Sequence, residues 1–139
     1  MGHYCKKLDL GTAKKPKYVV VLSYYEGKIL LSRHKKRTTW ETQGGHIEPS
    51  EAPLDAAKRE LYEESGAVDF DITPLFDYEA GDDIGSATGV VFRANIKALA
   101  SLPDSEMAEV HAFDALPENL TYPNITPHLF RWAQAVDTH

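Results

Sequence analysis

Residues 50–66, SEAPLDAAKRELYEESG, constrain the fold more than any other stretch, because they read as one helix with an apolar stripe and an acidic flank. The spacing predicts a helix from Ser50 or Glu51 to about Ser65. Ser50 is the expected N-cap, and Pro53 falls in the first turn, where its missing N–H leaves nothing unsatisfied. Leu54, Ala57, the stem of Lys58 and Leu61 recur at helical spacing and form the stripe that faces a core. Gly66 supplies the left-handed stop. Glu60, Glu63 and Glu64 stand at i, i+3 and i+4, so their carboxylates leave one side of the helix, beside the stripe.

Those acids are poorly placed for stability. Near a helix C-terminus each exposed carboxylate is disfavoured by roughly 0.3–1 kcal/mol, and like charges at these spacings repel by a few tenths of a kcal/mol per pair. A solvated helix face is the ordinary explanation of such a cluster. A divalent cation that prefers oxygen ligands reverses every unfavourable effect, since Mg²⁺ takes carboxylates together with water and phosphate oxygens.

Around this helix the pattern is that of one α+β domain with a mixed sheet. YVVVLSYY (18–25) is an apolar, β-branched strand, Glu26-Gly27 a turn and KILLS (28–32) the returning strand of a hairpin. TTWETQGGHIE (38–48) is extended and interrupted at Gly44-Gly45. Further strands are expected near 72–80, 86–96 and 108–113, with an acidic loop at 102–110. Thr126 and Pro127 open a last helix whose Leu129, Trp132, Ala133 and Val136 share a face. A chain of 139 residues, 42% hydrophobic, suits a single domain with a real core.

Charge and cysteine content narrow the functional classes. Through residue 37 there are ten Lys/Arg against two Asp/Glu, and beyond it five against nineteen. So acidic a remainder argues against a surface for nucleic-acid polymers and suits a cation bridging to phosphate. The single cysteine, Cys5, precedes the first expected strand and cannot form an internal disulfide. No run approaches transmembrane length, so no membrane contact and a cytoplasmic location are expected.

The stretch GHIEPSEAPLDAAKRELYEESGA (45–67) resembles the Nudix box. Gly45, Glu51, Arg59-Glu60-Leu61, Glu63-Glu64 and Gly66-Ala67 match it at every specified position. The hairpin, Trp40 and Gly44-Gly45 stand in the family's order, so the resemblance covers about 17–136, after an N-terminal lead segment 1–16. It implies a Nudix-like α/β/α sandwich and Mg²⁺- or Mn²⁺-dependent hydrolysis of a nucleoside diphosphate linked to another group. Glu60, Glu63, Glu64 and the Gly44 carbonyl would hold the metal. Arg59 would fix the carboxylate rotamers, and Glu51 would complete that network. The general base is left open among Glu60, Glu64, Glu106 and Glu109, with Glu106 preferred as the further carboxylate.

Arg33 is the expected phosphate clamp, Asn124 (with Asn119 as competitor) the expected reader of the base, and Gln43 a substrate contact. Gln43 stands where many relatives have Pro, which loosens any transfer of substrate by analogy. The expected substrate is a small nucleotide, most simply a (deoxy)nucleoside triphosphate such as 8-oxo-dGTP, cleaved to the monophosphate and pyrophosphate. ADP-sugars, dinucleoside polyphosphates and a non-catalytic nucleotide sensor are the alternatives. Retention of every box glutamate argues against the sensor. An isomerase of this fold needs a cysteine inside the domain, and Cys5 lies ahead of it.

Overall fold

The computed structural model describes residues 4–137. In chain order the elements are β1 (Tyr4–Leu8), β2 (Tyr18–Tyr25), β3 (Lys28–His34), β4 (Trp40–Glu41), β5 (Gln43–His46), α1 (Pro53–Ser65), β6 (Ala67–Gly81), β7 (Ser86–Leu99), β8 (Met107–Phe113) and α2 (Thr126–Asp137). The strands form one mixed sheet in the order β1-β6-β7-β2-β3-β4, with β5 also paired to β2 and β8 to β3. Only β2 and β7 run parallel; the other pairs are antiparallel.

Strand alternation divides the apolar residues between two layers. Val19, Val21, Val90 and Phe92 face α1 and pack with Ala56, Ala57 and Leu61. Leu22, Val91, Phe76 and Tyr78 face α2 and pack with Leu129, Phe130 and Ala133. Two helices thus cover opposite faces of the sheet, which is the expected α/β/α sandwich. The hairpin at Glu26-Gly27 forms as expected, but β2 and β3 pair only at Tyr24–Ile29 and Tyr25–Lys28. Beyond those rungs the strands diverge: β5 runs beside the first half of β2, and β8 beside β3. This fork opens the space in which the site is built.

Four local expectations are corrected. Ser50 does not cap α1: it sits at φ 66° in a turn closed by the Glu51 N–H on the Glu48 carbonyl, and Ala52 takes the cap position without a side-chain bond. The buried stripe of α1 is Ala56, Ala57, Leu61 and Ser65, whereas Leu54 and Lys58 are exposed. Gly44-Gly45 lies within β5 instead of breaking it. Cys5 lies in β1, an edge strand paired to β6, so the lead segment contributes to the sheet. Pro53 opens α1 and Gly66 ends it at φ 82°, donating to the Tyr62 carbonyl, as the sequence predicts.

Candidate active site

The site forms where α1 crosses β5. Pairing with Val19 and Val20 of β2 fixes Gly45 and Gly44, and α1 lays its acidic flank over them. The Gly44 N–H donates to Glu64 Oε1 at 2.8 Å. Gly45 leaves room for an acid: a Cβ built there would meet the Glu60 carboxylate and displace it. Residue type and helix position together set these carboxylates against backbone.

Arg59 organises the remainder. Its Nε and Nη2 form a bidentate pair with Glu51 at 2.8 and 2.9 Å, Nη2 also donates to the His46 carbonyl at 3.2 Å, and Nη1 reaches Glu63 Oε1 at 3.3 Å. Glu60 Oε2 is 3.7 Å from Nη1. The Arg59 hydrogen bonds, with the Glu48 N–H, hold the Glu51 carboxyl down at about 2. Burial pushes Glu60 up to about 7 against the pull of Arg59, and Glu63 adds to the rise. Burial pushes Glu64 up to about 8 against the Gly44 N–H, with the charges of Glu60, Glu41 and Glu63 adding to it.

Among the described residues no group of three His, Cys, Asp or Glu side chains converges closely enough to hold a metal as it stands. Arg59 and the Gly44 amide engage the carboxylates instead. The donor set nevertheless fits Mg²⁺ or Mn²⁺, being oxygen throughout, from carboxylates and the Gly44 carbonyl. Glu60 and Glu64 are half-buried acids whose charged forms are disfavoured as they stand, which is the condition a cation relieves.

The other expected site residues are distributed more widely. Arg33, on β3, donates from Nε to Glu109 Oε1 at 2.7 Å and from Nη1 to the Arg37 carbonyl at 3.0 Å. Glu106 is exposed and lies 3.2 Å from His34 Nε2. Gln43, expected as a substrate contact, has a fully buried side chain that donates to the Leu30 carbonyl and Ser32 Oγ, and the residue forms part of the wall of a cleft along β5. Two-residue alternation turns Gln43 inward together with Glu41. Asn119 donates to the Thr38 carbonyl, so the competitor for base reading is a loop brace.

A cleft of about 480 Å³ runs along β5, lined among others by Tyr18, Glu41, Gly44, Gly45, Tyr78 and Tyr122. A more open groove of about 700 Å³ adjoins it, shares Tyr18 and Tyr122, and is bordered by Lys17 and Asn124. Glu41 escaped the sequence reading. Its signal was a charged residue in a short extended segment immediately before Gly44-Gly45, on the same strand face as Gln43.

A family model described as the NUDIX domain matches residues 14–133. The chain is 35% identical over 107 residues to YtkD of Bacillus subtilis, named as a candidate 8-oxo-dGTP diphosphatase, covering 76% of this chain and 67% of that one. It is 32% identical over 92 residues to an RNA pyrophosphohydrolase of Bartonella henselae, covering 56% of this chain and only 53% of the relative. In fold it matches the crystal structure of the Bacillus subtilis pyrophosphohydrolase BsRppH with a TM-score of 0.78 at 24% identity, over 97% of both chains.

Proposed function

This chain belongs to the NUDIX family and is a Nudix hydrolase; from that premise we propose that it cleaves a (deoxy)nucleoside triphosphate, with 8-oxo-dGTP the first compound to test, to the monophosphate and pyrophosphate. One observation carries the reading: the acidic flank of α1 lies directly on Gly44-Gly45, with Glu64 bonded to the Gly44 amide and Glu60 against Gly45. The name of YtkD supports the substrate class. A second reading, removal of diphosphate from an RNA 5′ end, is favoured by the relatives named RNA pyrophosphohydrolase.

When bound, Mg²⁺ or Mn²⁺ supplies charge neutralisation at the phosphates and acidifies water. Glu60, Glu63 and Glu64, with the Gly44 carbonyl, are the residues that would hold it. Arg59 keeps Glu51 and Glu63 in place, so the acids enter the reaction already oriented. A carboxylate among Glu60, Glu64 and Glu106 takes the proton of the attacking water. Arg33 meets phosphate through Nη2, its Nε and one Nη1 N–H being engaged by Glu109 and the Arg37 carbonyl, and Asn124 meets the outer end of the substrate from the adjoining groove. We take 17–136 as the catalytic domain; no helix among the described residues is long and apolar enough to cross a membrane.

The test is a Mg²⁺-dependent assay over dNTPs, 8-oxo-dGTP, ADP-ribose, a dinucleoside polyphosphate and a 5′-triphosphate RNA, with pyrophosphate and phosphate resolved. Pyrophosphate from a triphosphate nucleotide supports the reading. Cleavage confined to ADP-ribose or the dinucleoside overturns it.

A further inference from the structure

We propose that the hydroxyls of Tyr78 and Thr126 bond the 2′- and 3′-hydroxyls of the nucleotide's sugar, so that the cleft takes a ribonucleotide in preference to its 2′-deoxy counterpart. The inference deepens the reading of this cleft as a nucleotide site and rests on it.

Strand register builds the floor of the cleft. Tyr78 of β6 pairs with Gly89 of β7, Gly89 with Tyr18 of β2, and Tyr18 with His46 of β5, so the four form one row across the sheet. Residues directly opposite share a face. Tyr78 packs in the cluster under α2, so the row lies on the α2 side. Gly89 is the bare position in it. A Cβ there would strike Cε1 and Cζ of Tyr78, so the outer half of that ring lies over Gly89 and carries its hydroxyl toward β2.

Tyr78 is only 6% exposed and Thr126 only 2%, yet both line the cleft. Neither hydroxyl has a hydrogen-bond partner among the described residues. Burial pushes the Tyr78 hydroxyl well above its ordinary value, so it stays protonated and able to donate. Thr126 is the first residue of α2, and its backbone N–H is held by the Tyr122 carbonyl at 3.0 Å. Two fixed, nearly buried hydroxyls thus each lack a bond that a ligand can supply.

The lining decides what they meet. Among the described residues no Lys or Arg lines this cleft, so nothing beside these hydroxyls draws phosphate. The phosphates belong at Gly44, where Glu64 meets the backbone. His46, at the end of the row, stands two residues along β5 from Gly44, roughly 7 Å. A nucleotide anchored by its phosphates at Gly44 therefore brings its sugar to the row before its base. A hydroxyl both donates and accepts, so it carries no code for a base edge but matches a sugar hydroxyl that does the same. The cis-diol of ribose offers two such groups. A 2′-deoxy sugar offers one and leaves a protein hydroxyl unpaired.

The experiment compares kcat/KM with Mg²⁺ for GTP against dGTP and for ATP against dATP, in the wild type and in the double variant Tyr78→Phe/Thr126→Val. It also measures GMP and dGMP binding calorimetrically, without turnover. Both exchanges remove a hydroxyl and keep the shape of the side chain. The wild type is expected to favour the ribonucleotide by about three- to tenfold with either base, and to bind GMP more tightly than dGMP. The double variant is expected to bring both ratios close to unity. An equal loss on ribo- and deoxyribonucleotides would overturn the proposal, because it would make the two hydroxyls supports of the fold. Equal binding of GMP and dGMP by the wild type overturns it independently, including where the variant does not fold. Preferential GMP binding without hydrolysis of any triphosphate would support the sugar contact while overturning the proposed reaction.

Discussion

The Gly44 amide donates a 2.8 Å hydrogen bond to the Glu64 carboxylate, so a β5 backbone group and an α1 acid twenty residues apart meet at one point. That bond opposes the burial that drives the Glu64 carboxyl up to about 8, and it does not win. The acid is positioned before any cation arrives. Substitution of Glu64 by Gln keeps an acceptor for Gly44 and removes the charge. Glu64→Gln is expected to lower kcat by more than about a hundredfold while leaving the far-ultraviolet circular dichroism unchanged. Glu106→Gln, measured beside it, shows whether the exposed acid just ahead of β8 takes part: a comparable loss makes Glu106 the proton acceptor, and near-normal turnover leaves that role to α1.

The raised carboxyls make stability depend on pH. Glu60 and Glu64 hold their protons to about 7 and about 8 in the folded chain, against an ordinary value of 4.5. The native state therefore binds more protons than the unfolded state between those limits, and stability falls as pH rises through them. Melting curves of the metal-free protein should move to lower temperature by several degrees from pH 5 to pH 8. Millimolar Mg²⁺ should reverse most of that loss, and Glu64→Gln should flatten the slope. A metal-free protein that melts higher at pH 8 than at pH 5 contradicts the assignment.

Space at Gly45 gives a sharper geometric test. Gly45→Ala puts a methyl group into the Glu60 carboxylate, so the acid must rotate or the helix must shift. We expect kcat to fall more than KM rises, with at least about a tenfold loss of kcat/KM. A parallel decrease in the affinity for Mn²⁺, read by electron paramagnetic resonance, would tie the effect to the acids.

Arg59 holds Glu51 by two bonds and Glu63 by a third. Arg59→Lys keeps the charge and loses the fork. It is therefore expected to lose much of the activity that Arg59→Ala loses, instead of restoring it. Activity of Arg59→Lys near the wild-type level would show that charge alone suffices.

Gln43 separates structure from recognition. Its amide bonds Leu30 and Ser32 inside the protein, so Gln43→Ala should destabilise by roughly 1–3 kcal/mol in denaturant unfolding and leave KM nearly unchanged. A large rise in KM without loss of stability would return this residue to the substrate.

What the sequence revealed, and what it hid, follows from the range of the forces involved. The box helix, its Gly66 stop, the Glu26-Gly27 hairpin and α2 are set by local periodicity and turn chemistry, so they were readable. The partners of the acids were also readable in part, because Arg59 lies one helical turn from Glu63. Ser50 was misread because a capping residue and a left-handed turn residue look alike in isolation. The inward direction of Gln43 and Glu41 was not readable because it depends on β3 and on Thr121, far away in the chain. The edge strand β1 was hidden for the same reason: YCKKL is unremarkable until β6 offers it a ladder.

The narrow union of β2 with β3 has a practical outcome for anyone wishing to retarget this enzyme. One arm of the fork carries β5 with α1 laid across it, while β4 and the 116–126 connection hang from the other arm. Exchanges at Glu41 or Tyr122 can therefore redraw the wall of the cleft while α1 stays seated on its own cluster.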